Sequence, residues 1–303
     1  MSRRLDIDII RILSSFGIIW FHTGIYGHQF SYSSLICYLI ISGYLAGYDN
    51  SLSFKNHFKV RFERLIVPWA FWFIFYGAFN LTKGKTFLPE NYNFFIGVLH
   101  GTSIHLWYIP FIFLFLVIFD FSKMFLSKSQ MSLFSACFSV LYLSLVPFWR
   151  EFSLDLGYPY AQYIYAVPGF FIGIFFQLYT SINTILSRFL FFSLLLISVF
   201  LVFYCDGSFA YFFGIFASSI LILNEHLKFL NRFLIKNIIG ANYLVAISSA
   251  SFGVYFCHVF IISISKNIFH ISGIFLPIIV FIVSYFIILT LIKLMPKYSF
   301  IVS

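Results

Sequence analysis

The sequence predicts an all-α fold, a polytopic helical membrane bundle of about ten transmembrane helices. Of its 303 residues, 61% are hydrophobic and only 10% are charged, which is more apolar surface than a soluble domain of this size buries. The apolar residues come in runs of about 17 to 24, the length of a helix that crosses hydrocarbon. The net charge of +9 is spread beside these runs and forms no patch, so membrane anchoring is favoured and nucleic-acid binding is not.

The polar breaks between the apolar runs divide the chain into ten predicted spans, with boundaries good to a few residues. In chain order they are 7–27, 32–48, 65–81, 105–121, 132–148, 160–179, 188–204, 208–224, 243–266 and 273–295. Residues 92–101 are expected to form an interfacial helix that leads into the fourth span. We expect a single transmembrane domain over 1–303, with no soluble domain at either end.

The distribution of lysine and arginine predicts the orientation of the spans. With the N-terminus inside, the inner segments carry fourteen positive residues and the outer segments carry four, Lys83, Lys85, Arg150 and Lys266. This asymmetry places both termini in the cytoplasm and favours an even number of spans.

The first span contains both Arg11 and His22, eleven residues apart. Eleven steps of about 100° bring a helix back to within roughly 20° of its starting direction, so the two side chains share a face about 16 Å apart along the axis. Polar groups inside a span more often line a functional site than contact lipid. Ser15 extends this face, and Asp8 is three residues from Arg11, a spacing that allows an ion pair. The alternative is that Arg11 reaches the inner surface and His22 is a satisfied histidine of the bundle.

Two basic residues precede the third span. Arg61 and Arg64 are three residues apart and would point the same way on a helix that begins there. Two guanidinium groups at a cytoplasmic mouth can hold phosphate groups through paired hydrogen bonds. The alternative is ordinary anchoring to anionic lipid.

Three further groups of residues are weaker candidates. Gly43, beside Ser42, permits close helix packing. His105 begins the fourth span, where an interfacial aromatic belt would account for Trp107 and the tyrosine after it, and solvation would account for His105 itself. Ser251, Tyr255 and His258 fall at i, i+4 and i+7, which is one helical face, and the alternative to a site is interhelical hydrogen bonding.

The sequence offers little sign of a metal or nucleotide site. The four cysteines, Cys37, Cys137, Cys205 and Cys257, are scattered and fit buried hydrophobic positions. The histidines of the spans lie on different helices, with no HExxH motif or paired carboxylates. The patterns typical of nucleotide-binding and serine hydrolase sites do not occur.

Taken in order, these elements resemble the integral-membrane acyltransferase family 3, which includes O-antigen and other polysaccharide O-acetyltransferases. The resemblance covers nearly the whole chain. It rests on five motifs in the family's order: Asp8-x-x-Arg11 with His22, Ile41-Ser42-Gly43-Tyr44, Arg61-x-x-Arg64 with Pro68, His105-Leu106-Trp107-Tyr108, and Ser251-x-x-x-Tyr255-x-x-His258. Each motif alone is loose, but five in this order are specific. The chain is similar to the stand-alone form, which lacks a fused extracytoplasmic hydrolase-like domain.

The resemblance implies transfer of an acyl group, usually acetyl, from cytoplasmic acyl-CoA to a hydroxyl of a cell-surface or lipid-linked glycan, in a bacterial inner membrane. Acetyl-CoA is then a co-substrate, with no permanently bound cofactor. His22 is expected to act as base or acyl carrier, Arg11 to position the thioester, and Arg61 and Arg64 to bind the CoA phosphates. Asp8, Ser42, His105, Trp107, Tyr255 and His258 are expected to bind substrate or support the site.

Two rival functions remain from the residues alone. Ten spans with intramembrane arginine and histidine would also suit a transporter or flippase for a glycan or small anionic solute. A membrane polysaccharide polymerase is the second, although such proteins usually have a large extracytoplasmic loop, which this chain lacks. The sequence does not indicate the sugar, the choice between acetyl and succinyl, direct or two-step transfer, or the oligomeric state.

Overall fold

The computed structural model of the protein describes residues 4–48, 53–90, 92–205, 208–223 and 238–296. Within these ranges the regular structure is entirely helical and includes no strand. The predicted all-α fold class is therefore confirmed for the described residues. Much of the predicted inner segment 225–242 lies outside them, as do five of the basic residues used to assign the orientation: Arg3, Lys228, Arg232, Lys236 and Lys297.

Fourteen α-helices, numbered here in chain order, make up the described part of the chain. The first seven are α1 (Leu5–Thr23), α2 (His28–Ser31), α3 (Ser33–Tyr44), α4 (Phe54–Arg61), α5 (Val67–Thr82), α6 (Phe94–His100) and α7 (Tyr108–Ser122). The others are α8 (Lys128–Ser144), α9 (Val146–Asp155), α10 (Tyr160–Gln177), α11 (Thr184–Tyr204), α12 (Phe209–Leu223), α13 (Ile238–Asn267) and α14 (Phe275–Leu294). A π-helical turn, Phe62–Ile66, joins α4 to α5.

Each of the ten predicted spans overlaps a helix, but the structure does not confirm ten spans. Among the described residues, four helices are long and apolar enough to cross a membrane, or up to five if the bent pair α8 and α9 is one span. The four are Phe54–Thr82, Thr184–Tyr204, Asn242–Asn267 and Phe275–Leu294. Helix α3 has 12 residues and is thus only about 18 Å long, shorter than a hydrocarbon core of about 30 Å.

Local sequence accounts for where several helices begin and end. Gly24 ends α1 in the left-handed conformation, with φ of 69°, which glycine adopts without a steric penalty. Ser127 and Gln130 form a capping box at the start of α8. The axis bends by 74° between α8 and α9, where Pro147 lies in the first turn of α9 and cannot donate a backbone hydrogen bond to the preceding helix. The predicted span 132–148 therefore stops being straight at Ser144.

Helix α3 lies at the centre of the bundle, packed against α1, α10 and α12. It crosses α10 very closely because both helices present glycine at the crossing. A β-carbon on Gly43 would collide with the carbonyl oxygen of Phe170, and one on Gly173 would collide with that of Ile40. The packing role considered for Gly43 is thus what the structure shows, and the close approach fixes α3 against α10 beside the site described below.

Basic residues occupy both ends of the bundle. At one end, Arg4 bonds the hydroxyl of Tyr44 at 2.8 Å, and Arg61 and Lys123 donate to backbone carbonyls just beyond the C-terminus of α3. At the other end, Lys266 donates to the carbonyl of Thr23, where α1 finishes. These four residues thus lie at two ends of the bundle, and which end faces the cytoplasm stays a prediction.

Candidate functional site

A cavity of about 420 Å³ brings together Arg11 of the first predicted span and the pair Arg61 and Arg64 that precedes the third. We call it the arginine cavity. Arg11 reaches it from α1, Arg61 from the end of α4, and Arg64 from the π-helical turn. Its wall also includes Ser42, Tyr108, Ser251 and Tyr255, so it collects residues from all five motifs. A ligand in this cavity would meet positive charge at the α4 end and hydroxyl groups deeper in the bundle.

The face of α1 lies as the eleven-residue spacing predicts. Arg11 and Ile18 line the arginine cavity, and Ile18 and His22 line a second, smaller pocket. The ion pair that the spacing between Asp8 and Arg11 allows does not form in the described structure. Asp8 is buried and accepts a hydrogen bond from Ser248 of α13 at 2.6 Å. Asp8 therefore ties α1 to α13, and Arg11 is left to face the cavity.

The two arginines before α5 have different environments, which the sequence did not distinguish. Arg61 forms a two-point ion pair with Asp120 of α7, through Nε to Oδ2 and through Nη2 to Oδ1 at 3.0 Å. Lys123 contacts the same carboxylate at 2.6 Å, and Asp120 is buried. Arg64 is exposed and makes no ion pair within the described ranges. Arg61 thus anchors the helix, whereas Arg64 has its guanidinium available for a ligand.

The π-helical turn explains why neighbouring arginines differ. Its wider backbone spacing turns Arg64 relative to Arg61 by an angle different from that of a regular α-helix. Sequence reasoning assumed regular α-helical geometry for this segment and missed Asp120. The available signal for it was a single carboxylate near the end of the apolar run 108–122, where a buried acid needs a cationic partner.

The second pocket, of about 60 Å³, is lined by His22 and His105, and we call it the histidine pocket. Ile18, Tyr108 and Tyr255 line both this pocket and the arginine cavity. These three side chains therefore form the partition between the two spaces. Any group that passes from one space to the other must pass beside them.

Three histidines from different helices and loops meet at this partition. The ring centroids of His22 and His258 are 5.1 Å apart, those of His105 and His258 are 5.0 Å apart, and those of His22 and His105 are 6.3 Å apart. The sequence placed these residues on separate helices and did not predict that they meet. No group of three histidine, cysteine or acidic residues in the described part of the chain has the geometry to hold a metal ion.

Hydrogen bonds fix the orientation of two of the three rings. His258 donates from Nδ1 to the carbonyl of Tyr255 at 2.6 Å, which leaves its Nε2 buried and without a hydrogen-bond partner among the described residues. His105 donates from Nε2 to the carbonyl of Phe256 at 3.2 Å, and its Nδ1 accepts from Ser103 at 3.1 Å. An imidazole held through one nitrogen presents the other as a base. His22 makes no hydrogen bond to any described residue, so its ring nitrogens are available to a ligand in the histidine pocket.

Hydrogen bonds made by hydroxyl groups stabilise the partition. Tyr255 donates to the carbonyl of His105, and Ser42 is 2.9 Å from the hydroxyl of Tyr108. The hydroxyl of Tyr285 bridges Ser15 of α1 at 2.7 Å and Ser251 of α13 at 2.9 Å. Tyr285 was not singled out by the sequence, because a single tyrosine in an apolar span gives no signal by itself.

The belt interpretation of the fourth motif is wrong for this structure. Trp107 is 6% exposed, Tyr108 is 8% exposed and His105 is 2% exposed. The segment before α7 folds into the bundle, so these side chains line the site and do not lie at a membrane surface. Tyr158, in the loop between α9 and α10, also lines the histidine pocket. Burial raises the pKa of its hydroxyl, which therefore remains a neutral hydrogen-bond donor.

The site thus joins a space with an available arginine to a space with histidine bases. Such a pair can hold an anionic donor molecule on one side and remove a proton from an acceptor on the other. No curated protein and no solved structure matches the chain. The family model described as an acyltransferase domain, that of acyltransferase family 3, matches residues 4–295. Because this match covers nearly the whole chain, the protein belongs to acyltransferase family 3 and is a membrane acyltransferase.

Proposed function

We propose that the protein transfers an acyl group, most simply acetyl, from cytoplasmic acyl-CoA to a hydroxyl group of a cell-surface or lipid-linked glycan. One observation carries the proposal. Arg11, Arg61 and Arg64 line a single cavity, and that cavity shares its inner wall with the pocket of His22. Donor and acceptor can therefore approach the same partition from opposite sides.

The arginine cavity fits the donor by charge and by size. Arg64 is exposed and lacks an ion-pair partner in the described structure, so it can bind CoA phosphates through paired hydrogen bonds. Arg61 already holds Asp120 and supports the mouth of the cavity. A volume of about 420 Å³ is in the range of ligand pockets, and it suits the narrow pantetheine arm, with the nucleotide at the open end.

His22 supplies the base in this proposal. The hydroxyl oxygen of the acceptor attacks the thioester carbonyl carbon and gives its proton to His22. The carbon–sulfur bond then breaks, and the sulfur leaves as CoA thiolate and takes up that proton. Arg11 lines the arginine cavity and positions the donor, so that its thioester end reaches the partition beside His22. In the two-step form His22 itself attacks the thioester and carries the acyl group before the hydroxyl accepts it.

His258 fits a positioning role beside His22. Its Nδ1 is held by the carbonyl of Tyr255, and its bare Nε2 lies in the ring cluster with His22. A fixed neighbour of this kind can restrain the orientation of the His22 ring. The distribution of lysine and arginine supports placing the arginine cavity on the cytoplasmic side of the membrane. The resemblance to acyltransferase family 3 supports a bacterial inner membrane as the location.

The proposal is tested by acyl transfer in isolated membranes, with radiolabelled acetyl-CoA and glycan from the host strain. We expect label in glycan with the intact protein, its loss in His22→Ala, and a clear decrease in Arg64→Ala when acetyl-CoA is below its KM. Lys59→Ala is the matched control. Lys59 is exposed and lies on the neighbouring turn, and its ion pair with Glu63 is a long one of 3.9 Å. Normal transfer by His22→Ala at equal expression would contradict the assignment of His22.

A second measurement separates the enzyme from the rival transporter. CoA should protect the purified protein against thermal unfolding, and Arg64→Ala should weaken that protection. Absence of glycan label together with absence of CoA protection would refute the acyl-CoA proposal and favour a carrier.

A further inference from the structure

We infer that a third cavity is a binding site for an acidic sugar, so that the glycan acceptor carries a carboxylate or phosphate close to the hydroxyl that is acylated. This inference rests on the proposed function and adds the chemical class of the acceptor. The cavity has a volume of about 610 Å³ and is lined by residues that include Gln29, Tyr32, Arg150, Gln162 and Tyr165. We call it the tyrosine cavity.

The tyrosine cavity adjoins the histidine pocket. Phe21, Tyr32, Tyr158 and Gln162 line both spaces. A ligand in the tyrosine cavity can therefore extend past these side chains to His22. Since the arginine cavity lies on the other side of the histidine pocket, the three spaces follow one another through the bundle.

Arg150 determines the charge of the tyrosine cavity. Among the described residues that line this cavity, Arg150 is the one with a charged side chain, and none of them carries a carboxylate. Within the described ranges Arg150 forms no ion pair, and its Nε is buried without a hydrogen-bond partner. A buried guanidinium nitrogen without an acceptor is costly, so an oxyanion from a ligand would complete its bonding. The guanidinium lies 4.9 Å from the ring centroid of Tyr165, and this contact holds it in place.

The remaining lining residues match a sugar ring. Gln162 has a buried amide oxygen without a partner among the described residues, and it can accept a hydrogen bond from a sugar hydroxyl. Tyr32 and Tyr158 present aromatic rings with a polar hydroxyl at one end, which suit the C–H face and the hydroxyls of a sugar. A simple inorganic anion would use Arg150 and leave the amide and the rings unused.

The test uses the full-length purified protein and four probes, with protection against thermal unfolding as the readout. The probes are methyl glucuronide, glucose 1-phosphate, neutral methyl glucoside and short-chain phosphatidylglycerol. The first two distinguish a carboxylate from a phosphate, the third tests the need for charge, and the fourth tests an anionic lipid as occupant. The variants are Arg150→Gln and Arg150→Lys. The matched control is Arg188→Gln, because Arg188 is exposed on α11 and lines none of the three cavities.

At least one acidic sugar should protect the intact protein and the Arg188→Gln control. In Arg150→Gln its apparent affinity should fall by about tenfold or more, as expected for loss of a charged hydrogen bond, and Arg150→Lys should retain part of the preference for the acidic sugar. Equal protection by the neutral glucoside, unchanged binding in Arg150→Gln, protection by the lipid alone, or no protection by any sugar would each overturn the inference.

CoA protection, measured on the same samples, keeps the two proposals apart. Retained CoA protection in Arg150→Gln shows that the variant is folded and that the donor side is intact. If Arg150→Gln loses sugar binding but keeps CoA binding, the substitution has affected the acceptor site alone. Failure of CoA to protect the intact protein would instead contradict the proposed donor, whatever the sugars do.

Discussion

Replacing Asp120 with asparagine tests whether Arg61 has a structural role distinct from that of Arg64. Asp120 is 4% exposed and receives hydrogen bonds from Arg61 and from Lys123, the latter at 2.6 Å. Asparagine keeps the shape of the side chain but removes its charge. Two cations would then face a neutral amide in a buried position.

The size of the loss in stability depends on the hydrogen bonds that Arg61 and Lys123 keep after the substitution. Removing one partner of a buried ion pair typically destabilises a protein by about 3–5 kcal/mol. Arg61 keeps a hydrogen bond to the carbonyl of Ala46 at 3.0 Å, and Lys123 keeps one to that of Gly47 at 3.2 Å. We therefore expect the lower end of that range for Asp120→Asn, about 3 kcal/mol.

The assay is the thermal unfolding midpoint of the purified protein in detergent, together with the KM for acyl-CoA. Asp120→Asn should lower the midpoint clearly, whereas Lys59→Gln should change stability by less than about 1 kcal/mol, because it breaks an exposed pair. In a double-mutant cycle, Arg61→Gln and Asp120→Asn should be strongly non-additive. An unchanged midpoint with a raised KM in Asp120→Asn would refute the reasoning, since Arg61 would then serve the donor and not the helix.

Three further predictions concern the site and its support. Arg64→Gln should raise the KM for acyl-CoA by about tenfold with an unchanged unfolding midpoint, since its guanidinium is exposed and is proposed to make one charged contact to the donor. His22→Gln should lower the rate of acyl transfer by about 10²- to 10⁴-fold, as for loss of a general base, and should keep CoA protection. Gly43→Ala should lower the unfolding midpoint, with a loss of about 1–3 kcal/mol, because the new methyl group meets backbone and cannot turn aside.

The controls for these predictions come from the same chain. Gly97→Ala places a methyl group in ordinary contact with Leu88 and should not destabilise the protein, because alanine favours a helix over glycine. A normal midpoint for Gly43→Ala would show that α3 and α10 do not cross as closely as described. A rate near normal for His22→Gln, or an unaltered KM for Arg64→Gln, would remove that residue from the proposed mechanism.

The sequence was informative wherever helical periodicity alone sets geometry. The positions of Arg11 and His22 on one face of α1 follow from eleven residues of regular helix, and the structure lines the two adjoining spaces with them. The stripe of Ser251 and Tyr255 reaches the arginine cavity for the same reason. The long apolar runs predicted the helices, but the described residues confirm four or five helices long enough to cross a membrane and do not confirm ten.

Contacts between distant segments were beyond sequence reasoning. The capture of Arg61 by Asp120 joins residues 59 positions apart, and the π-helical turn that separates Arg61 from Arg64 has no clear signature in residue types. Trp107 and Tyr108 show a second limit of sequence reasoning. Aromatic residues at a span boundary suit a membrane surface and a buried wall equally well, so the residue types left both interpretations open until burial decided between them.

The residues alone were enough for the fold class, the resemblance to acyltransferase family 3 and the residues to examine, because composition, spacing and motif order are local properties of the chain. The meeting of three histidines, the division of labour between the two arginines and the cavity around Arg150 depend on how α1, α3, α7, α10 and α13 pack. Packing joins side chains that are far apart in sequence, and the free energy of each contact depends on the burial and hydrogen-bond partners that the folded chain provides. For that reason the chemistry of the site emerges from the three-dimensional arrangement.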